Sequence, residues 1–320
     1  MPREVVITGP ERVELLHRDD VKLARDEVRV RSIVSGISSA TELRHYRAGP
    51  APGTFSVRPG YELVGRVVEC GSAVASALEG RVVWLDHPHA EEAVVRVAGA
   101  GQGLLGNGTA PSERLVFLAR TRTALNAVHD SSLRLGERVV VFGLGTLGLL
   151  VARLAVLGGA SQVLAADPVA VRRARAGAWG AEPVAPDVVP DAKADVVFEA
   201  SGSAAALADA VDACAPYGRI VVVSTYALAQ LEITGKLAVR QLTMTFSTTR
   251  PGVEPRQGPA WPRDRKLVAA RELLESGRVA AEELITDEFA FDDAGVAYPH
   301  LAGMPEGCVS ALLRYRDEPA

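Results

Sequence analysis

The sequence predicts an α/β protein with two domains, one built on a doubly wound parallel sheet and the other rich in short strands. The chain has 320 residues, 48% of them hydrophobic, which is enough to bury two cores. Short β-rich runs punctuated by Gly and Pro extend from Val5 to about Val97. From about Thr121, apolar runs alternate with Ala- and Leu-rich helical stretches, the pattern of βαβ units.

Each run predicts one element. In the β-rich part, the predicted strands are EVVITG, EVRVRSIVSG, ELVGRVVECG, RVVWLD and EAVVRV. In the parallel sheet, they are RVVVFG, QVLAAD, ADVVFEA and RIVVVST. Near the end of the chain, FDDAGVAYPHLAG predicts a short helix and VSALLRY a closing strand. The last segment is therefore expected to return to the β-rich domain.

Charge and composition argue against several classes of partner. The net charge of −4 and the absence of any run of five Lys or Arg disfavour nucleic acid and anionic membranes. The N-terminus, MPREVVITGP, has no apolar core of signal-peptide length, and no stretch approaches the length of a membrane span, so we expect a cytoplasmic protein. The three cysteines, Cys70, Cys214 and Cys308, form no CxxC pair and predict neither a disulfide framework nor a structural zinc site.

The most specific motif is a GxGxxG sequence between a buried strand and an apolar-faced helix. Gly143 is expected to make the tight turn, Gly145 to admit a pyrophosphate, and Gly148 to let the helix pack closely on the strand. The pyrophosphate would lie on the amides at the helix N-terminus. The predicted dinucleotide loop consists of Gly143, Leu144, Gly145, Thr146, Leu147 and Gly148. A glycine turn without a ligand is the structural alternative.

The next strand ends in Asp167, about twenty residues beyond the last glycine, where a carboxylate can bind the ribose 2′-hydroxyl. Such a carboxylate would repel a 2′-phosphate, so the sequence favours NAD over NADP. Arg172 and Arg173 follow closely and offer the opposite possibility, since either one could accept that phosphate. A solvated helix face is the alternative interpretation of both arginines.

Two further strand ends are predicted to line the cofactor groove, because ligands of doubly wound sheets bind at the carboxyl ends of the strands. These are the segment Glu199-Ala200-Ser201-Gly202 and the pair Ser224-Thr225. Small residues there would let the backbone approach a dinucleotide, although small residues also simply end strands. Ser201, Ser224 and Thr225 are therefore the candidate contacts.

The motifs PGYELVGRVVECG, TALNAVHDSSLRLGERVVVFGLGTLG and DVVFEASG together resemble the medium-chain dehydrogenase/reductase superfamily over essentially the whole chain. The stretches SGISSATEL, PGYE and ITDEFAFDD resemble zinc-free members related to bacteriochlorophyllide dehydrogenase. The resemblance implies a GroES-like catalytic domain at residues 1–121 and 258–320, a Rossmann domain at 122–257, and an active site in the cleft. It also implies a homodimer formed through the edge strand at 242–248, where an unpaired apolar edge would be a liability in a monomer.

Zinc-dependent members of this superfamily hold catalytic zinc with a Cys, a His and a third Cys or Asp. The resemblance places these positions at Ser38 or Ser39, at Tyr61 and near Ala119. The segment that carries the structural zinc, about 90–112 here, contains no cysteine. Because Ser, Tyr and Ala cannot replace thiolate and imidazole around zinc, we expect no metal.

Without a metal, hydride transfer at a carbinol carbon still needs a group that takes or gives the hydroxyl proton. Tyr61 is the leading candidate, because the resemblance directs this position into the cleft and a nearby positive charge would lower a phenol pKa. Glu62 lies behind the metal site in the family, and a buried ion pair with an arginine is its alternative role. Ser38 completes this group of candidate catalytic residues.

The resemblance also places a proton relay to solvent at Thr41 and His45, with Glu42 between them as a candidate substrate contact. A surface helix turn is the alternative for this stretch. His89, in the HxH of LDHPHAEE, lies near the substrate entrance in zinc-free relatives and is a second substrate candidate; no third metal ligand accompanies it and His87. Thr123 has a counterpart that touches the nicotinamide, and a helix cap is its alternative role.

The leading hypothesis is an NAD(P)-dependent, zinc-independent dehydrogenase that interconverts a secondary alcohol and a ketone on a biosynthetic metabolite. The alternatives are an enoyl or quinone reductase, a redox-neutral enzyme with tightly held NAD, and a dinucleotide-binding protein without turnover. Asp167 counts against the reductase, since those enzymes usually prefer NADPH. The arginines at 250, 256, 263 and 265 suggest an anionic or polyhydroxylated substrate, or ordinary solvated charge.

Overall fold

The computed structural model describes residues 1–51, 53–97, 113–189, 191–224, 234–249, 253, 255–303 and 305–316. The chain forms two compact units. Residues 1–119 and 280–320 make up unit 1, and residues 120–279 make up unit 2. None of the helices in the described ranges is both long and apolar enough to span a bilayer.

The described elements alternate between strands and helices in the middle of the chain and are mostly strands at its two ends. The strands are β1 (Arg3–Gly9), β2 (Arg12–His17), β3 (Glu27–Ile37), β4 (Leu63–Cys70), β5 (Val82–Leu85), β6 (Glu92–Arg96), β7 (Arg138–Phe142), β8 (Gln162–Ala166), β9 (Glu182–Val184), β10 (Ala194–Glu199), β11 (Cys214–Val222), β12 (Thr243–Phe246), β13 (Ile285–Ala290) and β14 (Ser310–Arg314). The α-helices are α1 (Thr41–Ala48), α2 (Leu118–Asp130), α3 (Thr146–Leu157), α4 (Ala170–Ala178), α5 (Ala204–Ala213), α6 (Thr234–Val239), α7 (Arg263–Glu275) and α8 (Ala294–Ala302).

Unit 2 contains a parallel sheet whose strands lie in the order β12-β11-β10-β7-β8-β9. The chain starts at the centre with β7, moves outward through β8 and β9, and then crosses back to β10 on the other side. The strand order therefore reverses between β7 and β10, which is where doubly wound sheets bind ligands. Apolar side chains of β7, β10, β11 and α5 form one buried core on this sheet.

Unit 1 is a β-rich domain with strand order β13-β14-β3-β4-β5, in which β6 also pairs with β3. The β1–β2 hairpin is antiparallel. The C-terminal strand β14 pairs antiparallel with β3, Ala311 lying opposite Ile37, so the two ends of unit 1 share one sheet. The predicted fold class, a Rossmann sheet with a GroES-like β-rich domain, is confirmed.

The return from unit 2 to unit 1 comes later than the sequence suggests. The predicted boundary lies at 258, but residues 258–279 belong to unit 2, including the whole of α7. A buried lysine explains this placement: Lys266 Nζ donates to Asn126 Oδ1 on α2 and to Gln257 Oε1, both at 2.5 Å. The first boundary, predicted at 121, falls at 119.

Candidate functional site

The glycine loop between β7 and α3 has three glycines in three different environments. Gly143 has φ = 85°, and a Cβ there would lie 2.6 Å from the backbone N of Ser201. A Cβ at Gly148 would lie 1.8 Å from the carbonyl oxygen of Gly143. At Gly145, the residue before α3, a Cβ would meet no atom within 4 Å. The first and third glycines thus permit close packing, and the second leaves open space that fits a pyrophosphate at the helix N-terminus.

The remaining loop residues are mostly turned inward. Leu144 and Thr146 are buried, and Leu147 is half-buried. The backbone N of Leu144 donates to Asp167 Oδ2 at 2.7 Å. Leu144 therefore packs inside unit 2, whereas Gly145 stays partly exposed.

Asp167 follows the end of β8 and is itself buried. Besides Leu144 N, its other oxygen Oδ1 accepts the backbone N of Val169 at 2.8 Å. Each carboxylate oxygen can accept a second hydrogen bond, so the group can hold the loop and still receive a ribose hydroxyl. Arg173 Nη1 donates to the carbonyl oxygen of Asp167 at 2.6 Å, and Arg172 is half-buried on α4.

A second carboxylate, Glu199 at the end of β10, organises the neighbouring strand end. Its Oε1 accepts the backbone N of Ser201 at 2.7 Å and of Gly202 at 3.2 Å, as well as the Ser201 hydroxyl. Its Oε2 accepts the Ser224 hydroxyl. The two predicted serines are thus brought together by a buried glutamate, while Thr225 lies outside the described residues.

Thr123 lies on α2 and is half-buried. Its Oγ1 is 3.0 Å from Oγ1 of Thr249, in the segment after β12. Since Thr123 is the sixth residue of α2, it does not cap this helix, and a hydroxyl pair links it to the end of the sheet instead.

In unit 1, Tyr61 is half-buried in the turn that precedes β4. The residue before it, Gly60, has φ = 107°, and a Cβ there would lie 2.7 Å from the backbone N of His89 and 3.0 Å from its ring. The same His89 N donates to the carbonyl oxygen of Pro59 at 2.9 Å. The Pro-Gly turn that orients Tyr61 therefore packs directly against His89.

Glu62 is fully buried, and its Oε2 accepts hydrogen bonds from two neighbours. Trp84 Nε1 donates at 3.1 Å, and the backbone N of Ala119 donates at 3.3 Å. Ala119 lies near the position that the resemblance assigns to the third zinc ligand of zinc-dependent enzymes. Glu62 thus links the backbone at Ala119 to the indole of Trp84.

The residues predicted around α1 lie together. Ser38 is buried, and its Oγ accepts the backbone N of Thr41, the first residue of α1, at 3.3 Å. Thr41 and His45 are four residues apart and share one face of α1, both partly exposed, as the predicted relay requires. Burial, followed by the charge of Arg44, lowers the pKa of the His45 imidazole.

The two predicted substrate residues turn out to be partners of each other. His89 is 0% exposed and Glu42 1% exposed, and His89 Nε2 lies 2.9 Å from Glu42 Oε2. With both side chains inside the core of unit 1, neither offers a surface to a substrate. The expectation of direct contact is corrected on this point, because polar groups buried without such partners would be costly and here the two residues satisfy each other.

The HxH sequence does not form a metal site. His87 Nδ1 lies 2.8 Å from the carbonyl oxygen of Pro88, whereas the His89 ring faces Glu42 and Ser35. Over the described part of the chain, no group of three or more His, Cys, Asp or Glu side chains could hold a metal ion. The resemblance places zinc-ligand positions at Ser38 or Ser39, Tyr61 and Ala119, and these side chains supply neither the thiolate nor the imidazole that zinc prefers.

Sequence reasoning missed four residues that complete these arrangements: Trp84, Ser35, Tyr298 and Tyr315. Tyr298 hydroxyl donates to Glu42 Oε2 at 2.6 Å, and Ser35 Oγ lies 2.7 Å from His89 Nδ1 and 3.0 Å from the Tyr315 hydroxyl. A serine inside the apolar run of β3 was the only available signal. The tyrosines lie more than 200 residues from their partners, so no motif could connect them.

The model of a family described as zinc-binding dehydrogenase matches residues 146–255. A Mycobacterium tuberculosis protein described as a probable zinc-binding alcohol dehydrogenase is 28% identical, with 92% of this chain and 84% of that protein covered. D-guloside 3-dehydrogenase of Escherichia coli is 27% identical over 92% of this chain and 95% of its own. The 2-desacetyl-2-hydroxyethyl bacteriochlorophyllide A dehydrogenase of Cereibacter sphaeroides is 27% identical, with 98% of each chain covered.

Solved structures show the same fold. The 2R,3R-butanediol dehydrogenase of Bacillus subtilis superimposes with a TM-score of 0.81 at 20% identity, covering 98% of this chain and 99% of that one. An E. coli alcohol dehydrogenase crystallised with NADH gives a TM-score of 0.80 at 20% identity, with 98% and 99% covered. These structures show the fold that the glycine loop and the two-unit architecture already indicate.

Proposed function

We propose that this protein is a nicotinamide-dependent, zinc-independent dehydrogenase that interconverts a secondary alcohol and a ketone on a biosynthetic metabolite. The observation that carries the proposal is the glycine loop at the reversal of strand order, with open space at Gly145 and a carboxylate, Asp167, beneath it. The names of the relatives, which include alcohol and sugar-derivative dehydrogenases, support the reaction type.

The bound nicotinamide would supply or accept the hydride. The loop residues would hold its pyrophosphate, and Ser201 and Ser224, held by Glu199, would lie along the dinucleotide. Asp167 supports a preference for NAD, because its negative charge would oppose a 2′-phosphate. Solved relatives have been crystallised with NADH and with NADP, so the preference rests on Asp167 alone.

Proton transfer would use Tyr61, whose phenol is half-buried and which the resemblance assigns to a zinc-ligand position. A phenol can donate a hydrogen bond to a ketone oxygen, or take the proton of an alcohol when a positive charge lowers its pKa. Thr41 and His45, on one face of α1, would relay that proton to solvent. Ser38 would hold the start of α1, and Glu62 would hold the Ala119 segment beside Tyr61.

Zinc independence is supported by the side chains at the ligand positions and by the lack of a three-residue ligand group in the described ranges. The matching family and one relative are nevertheless described as zinc-binding, which makes a direct measurement necessary. Metal analysis of the purified protein should find well below one zinc per chain. One tightly bound zinc per chain, lost together with activity on chelation, would contradict the proposal.

The decisive experiment follows the reduced-nicotinamide absorbance with NAD and NADP over a panel of secondary alcohols, diols and sugar derivatives, and the matching ketones. Tyr61→Phe should lower kcat by about 10²–10⁴-fold, the usual contribution of a positioned acid or base. Tyr217→Phe is the matched control, since Tyr217 is 73% exposed in unit 2 and should leave kcat unchanged. Equal kcat for Tyr61→Phe and the wild type would eliminate the assigned role.

We further propose a homodimer formed through β12. This strand lies at the edge of the parallel sheet and pairs with β11 on one side. Phe246 at its end is 56% exposed. An exposed strand edge with an aromatic residue is a ready site for pairing with a second chain.

A further inference from the structure

A chain of five hydrogen-bonded side chains runs through the interior of unit 1. The order is Tyr315, Ser35, His89, Glu42 and Tyr298, with successive distances of 3.0, 2.7, 2.9 and 2.6 Å. The five residues come from five separate places in the chain: the residue after β14, β3, the β5–β6 connection, α1 and α8. Such a chain is costly to build unless every member is satisfied, so its completeness calls for an explanation.

The carboxylate of Glu42 is the fourth member of this chain and is ionised at neutral pH. Burial raises the pKa of Glu42, but His89, the Tyr298 hydroxyl and the Ser38 amide outweigh that effect and hold the pKa below its usual value near 4.5. Because an ionised carboxylate can only accept hydrogen bonds, the facing His89 Nε2 must carry a hydrogen. Glu42 therefore fixes the orientation of the His89 ring.

Each end of the Glu42–His89 pair touches a different candidate catalytic position. Glu42 Oε1 accepts the backbone N of Ser38 at 2.8 Å, just before α1. The His89 ring lies against Gly60, where a Cβ would come within 3.0 Å of Cγ and Cδ2. Gly60 precedes Tyr61, and the His89 backbone N also holds Pro59.

We propose that Glu42 and His89 form a buried positioning pair that sets Ser38 and the Tyr61 turn in register with each other. The inference rests on the proposed function, because it is there that Ser38 and Tyr61 receive catalytic roles. In zinc-dependent relatives a metal ion joins the corresponding two positions. In this chain a single carboxylate–imidazole contact in the core joins them, without either residue touching the substrate.

The chain contains a matched control pair. In unit 1, Asp287 Oδ1 also lies 2.9 Å from a histidine, His300 Nε2, but this pair is partly exposed. Asp287 and His300 also contact Thr286, Cys308 and the ring of Phe289, and their described contacts include neither Ser38 nor the Pro-Gly turn. Breaking this second pair removes the same type of contact without disturbing the proposed register.

The test uses the full-length protein labelled with 3-fluorotyrosine and observed by ¹⁹F NMR. The chain has six tyrosines, and Tyr61→Phe assigns the Tyr61 resonance. Glu42→Gln and His89→Gln should each shift the Tyr61 resonance, whereas Asp287→Asn and His300→Gln should leave it in place. A Tyr61 resonance unmoved by both Glu42→Gln and His89→Gln would overturn the proposal.

Kinetics provide the second readout. Glu42→Gln and His89→Gln should each lower kcat by about 10²-fold, as a misplaced group does, with KM nearly unchanged. The double variant should be no worse than either single variant, since the two residues act as one unit. Independent, multiplicative losses would contradict the pair.

If Glu42→Gln fails to fold, Tyr298→Phe gives the same comparison more gently, because it removes one of the three donors to the carboxylate. It should shift the Tyr61 resonance in the same direction by a smaller amount, and no shift would count against the proposal. If the wild type turns over no alcohol, the proposed function fails, but the ¹⁹F comparison still decides whether the pair positions Tyr61.

Discussion

The two compact units hold their candidate functional groups in different ways. In unit 2, Gly145 leaves open space at the start of α3, and Asp167 and Glu199 each secure a strand end by accepting backbone N–H groups. In unit 1, the arrangement around Glu42 and His89 is made of side chains from five separate places in the chain.

This difference determines what fails when a residue is changed. A backbone-built site is sensitive to added volume, because its spacing is set by glycines that have no side chain. A side-chain-built site is sensitive to lost hydrogen bonds, because its members are buried and have few alternative partners. The following experiments probe that distinction, beginning with the largest expected effect on stability.

Replacing His89 by Leu should cost about 3–5 kcal/mol at pH 7, since it leaves a buried carboxylate without its partner. The pKa of Glu42 is held below 4.5 in the folded state, so its contribution is full above that pH and is lost as the pH falls through the lower folded value. Urea unfolding between pH 7 and pH 3.5 should therefore show the wild type and His89→Leu converging in acid. His300→Leu, at a partly exposed pair, should cost at most about 1 kcal/mol, and a gap for His89→Leu that stays constant with pH would contradict this account.

Adding one methyl group at Gly148 should destabilise unit 2 by about 3 kcal/mol or somewhat more, because the Cβ would lie 1.8 Å from the Gly143 carbonyl oxygen. Gly145→Ala is the matched change, since its Cβ would meet no atom within 4 Å. We expect Gly145→Ala to keep the wild-type Tm but to weaken NADH binding, measured by fluorescence titration. If Gly145→Ala lowers the Tm as much as Gly148→Ala does, the space at Gly145 is not open as described and its assignment to the pyrophosphate fails.

Breaking the Trp84–Glu62 hydrogen bond should have a smaller effect. Trp84→Phe removes the indole donor to Glu62 Oε2 and leaves the weaker amide contact from Ala119, at a cost of about 1–3 kcal/mol. A double-mutant cycle with Glu62→Gln separates this bond from the loss of indole volume, and a coupling of about 1 kcal/mol is expected from urea unfolding. If the effects of the two substitutions on the free energy of unfolding simply add, the Trp84 indole stabilises the protein through packing alone.

A charge on the edge strand should affect association rather than folding. Phe246→Lys should weaken self-association by at least about tenfold in sedimentation velocity, because a lysine on a strand edge blocks pairing. Its free energy of unfolding per chain should change by less than about 0.5 kcal/mol. Val239→Lys, at an exposed position outside β12, should leave association unchanged, and equal effects of the two variants would argue against β12 as the interface.

The sequence was sufficient for the fold because the fold depends on local patterns. The β7 and β10 strands have apolar centres, VVVF and VVF, and the loop glycines are spaced as a strand–turn–helix junction requires. Glu42 and His89 were predicted as substrate contacts, but the structure buries them against each other. With 46 residues between them, no local pattern shows that they meet. The late return to unit 1 was missed because Lys266 gives no sign in the sequence that it is buried against α2.

The antiparallel pairing of β14 with β3 affects how the protein can be made. The last strand of unit 1 leaves the ribosome after all of unit 2, and so does Tyr298, one of the three donors to Glu42. Domains usually fold in the order in which they are synthesised. Here we expect the reverse order. Unit 2 can fold as soon as it is synthesised, whereas unit 1 cannot be completed until β14 pairs with β3 and Tyr298 reaches Glu42.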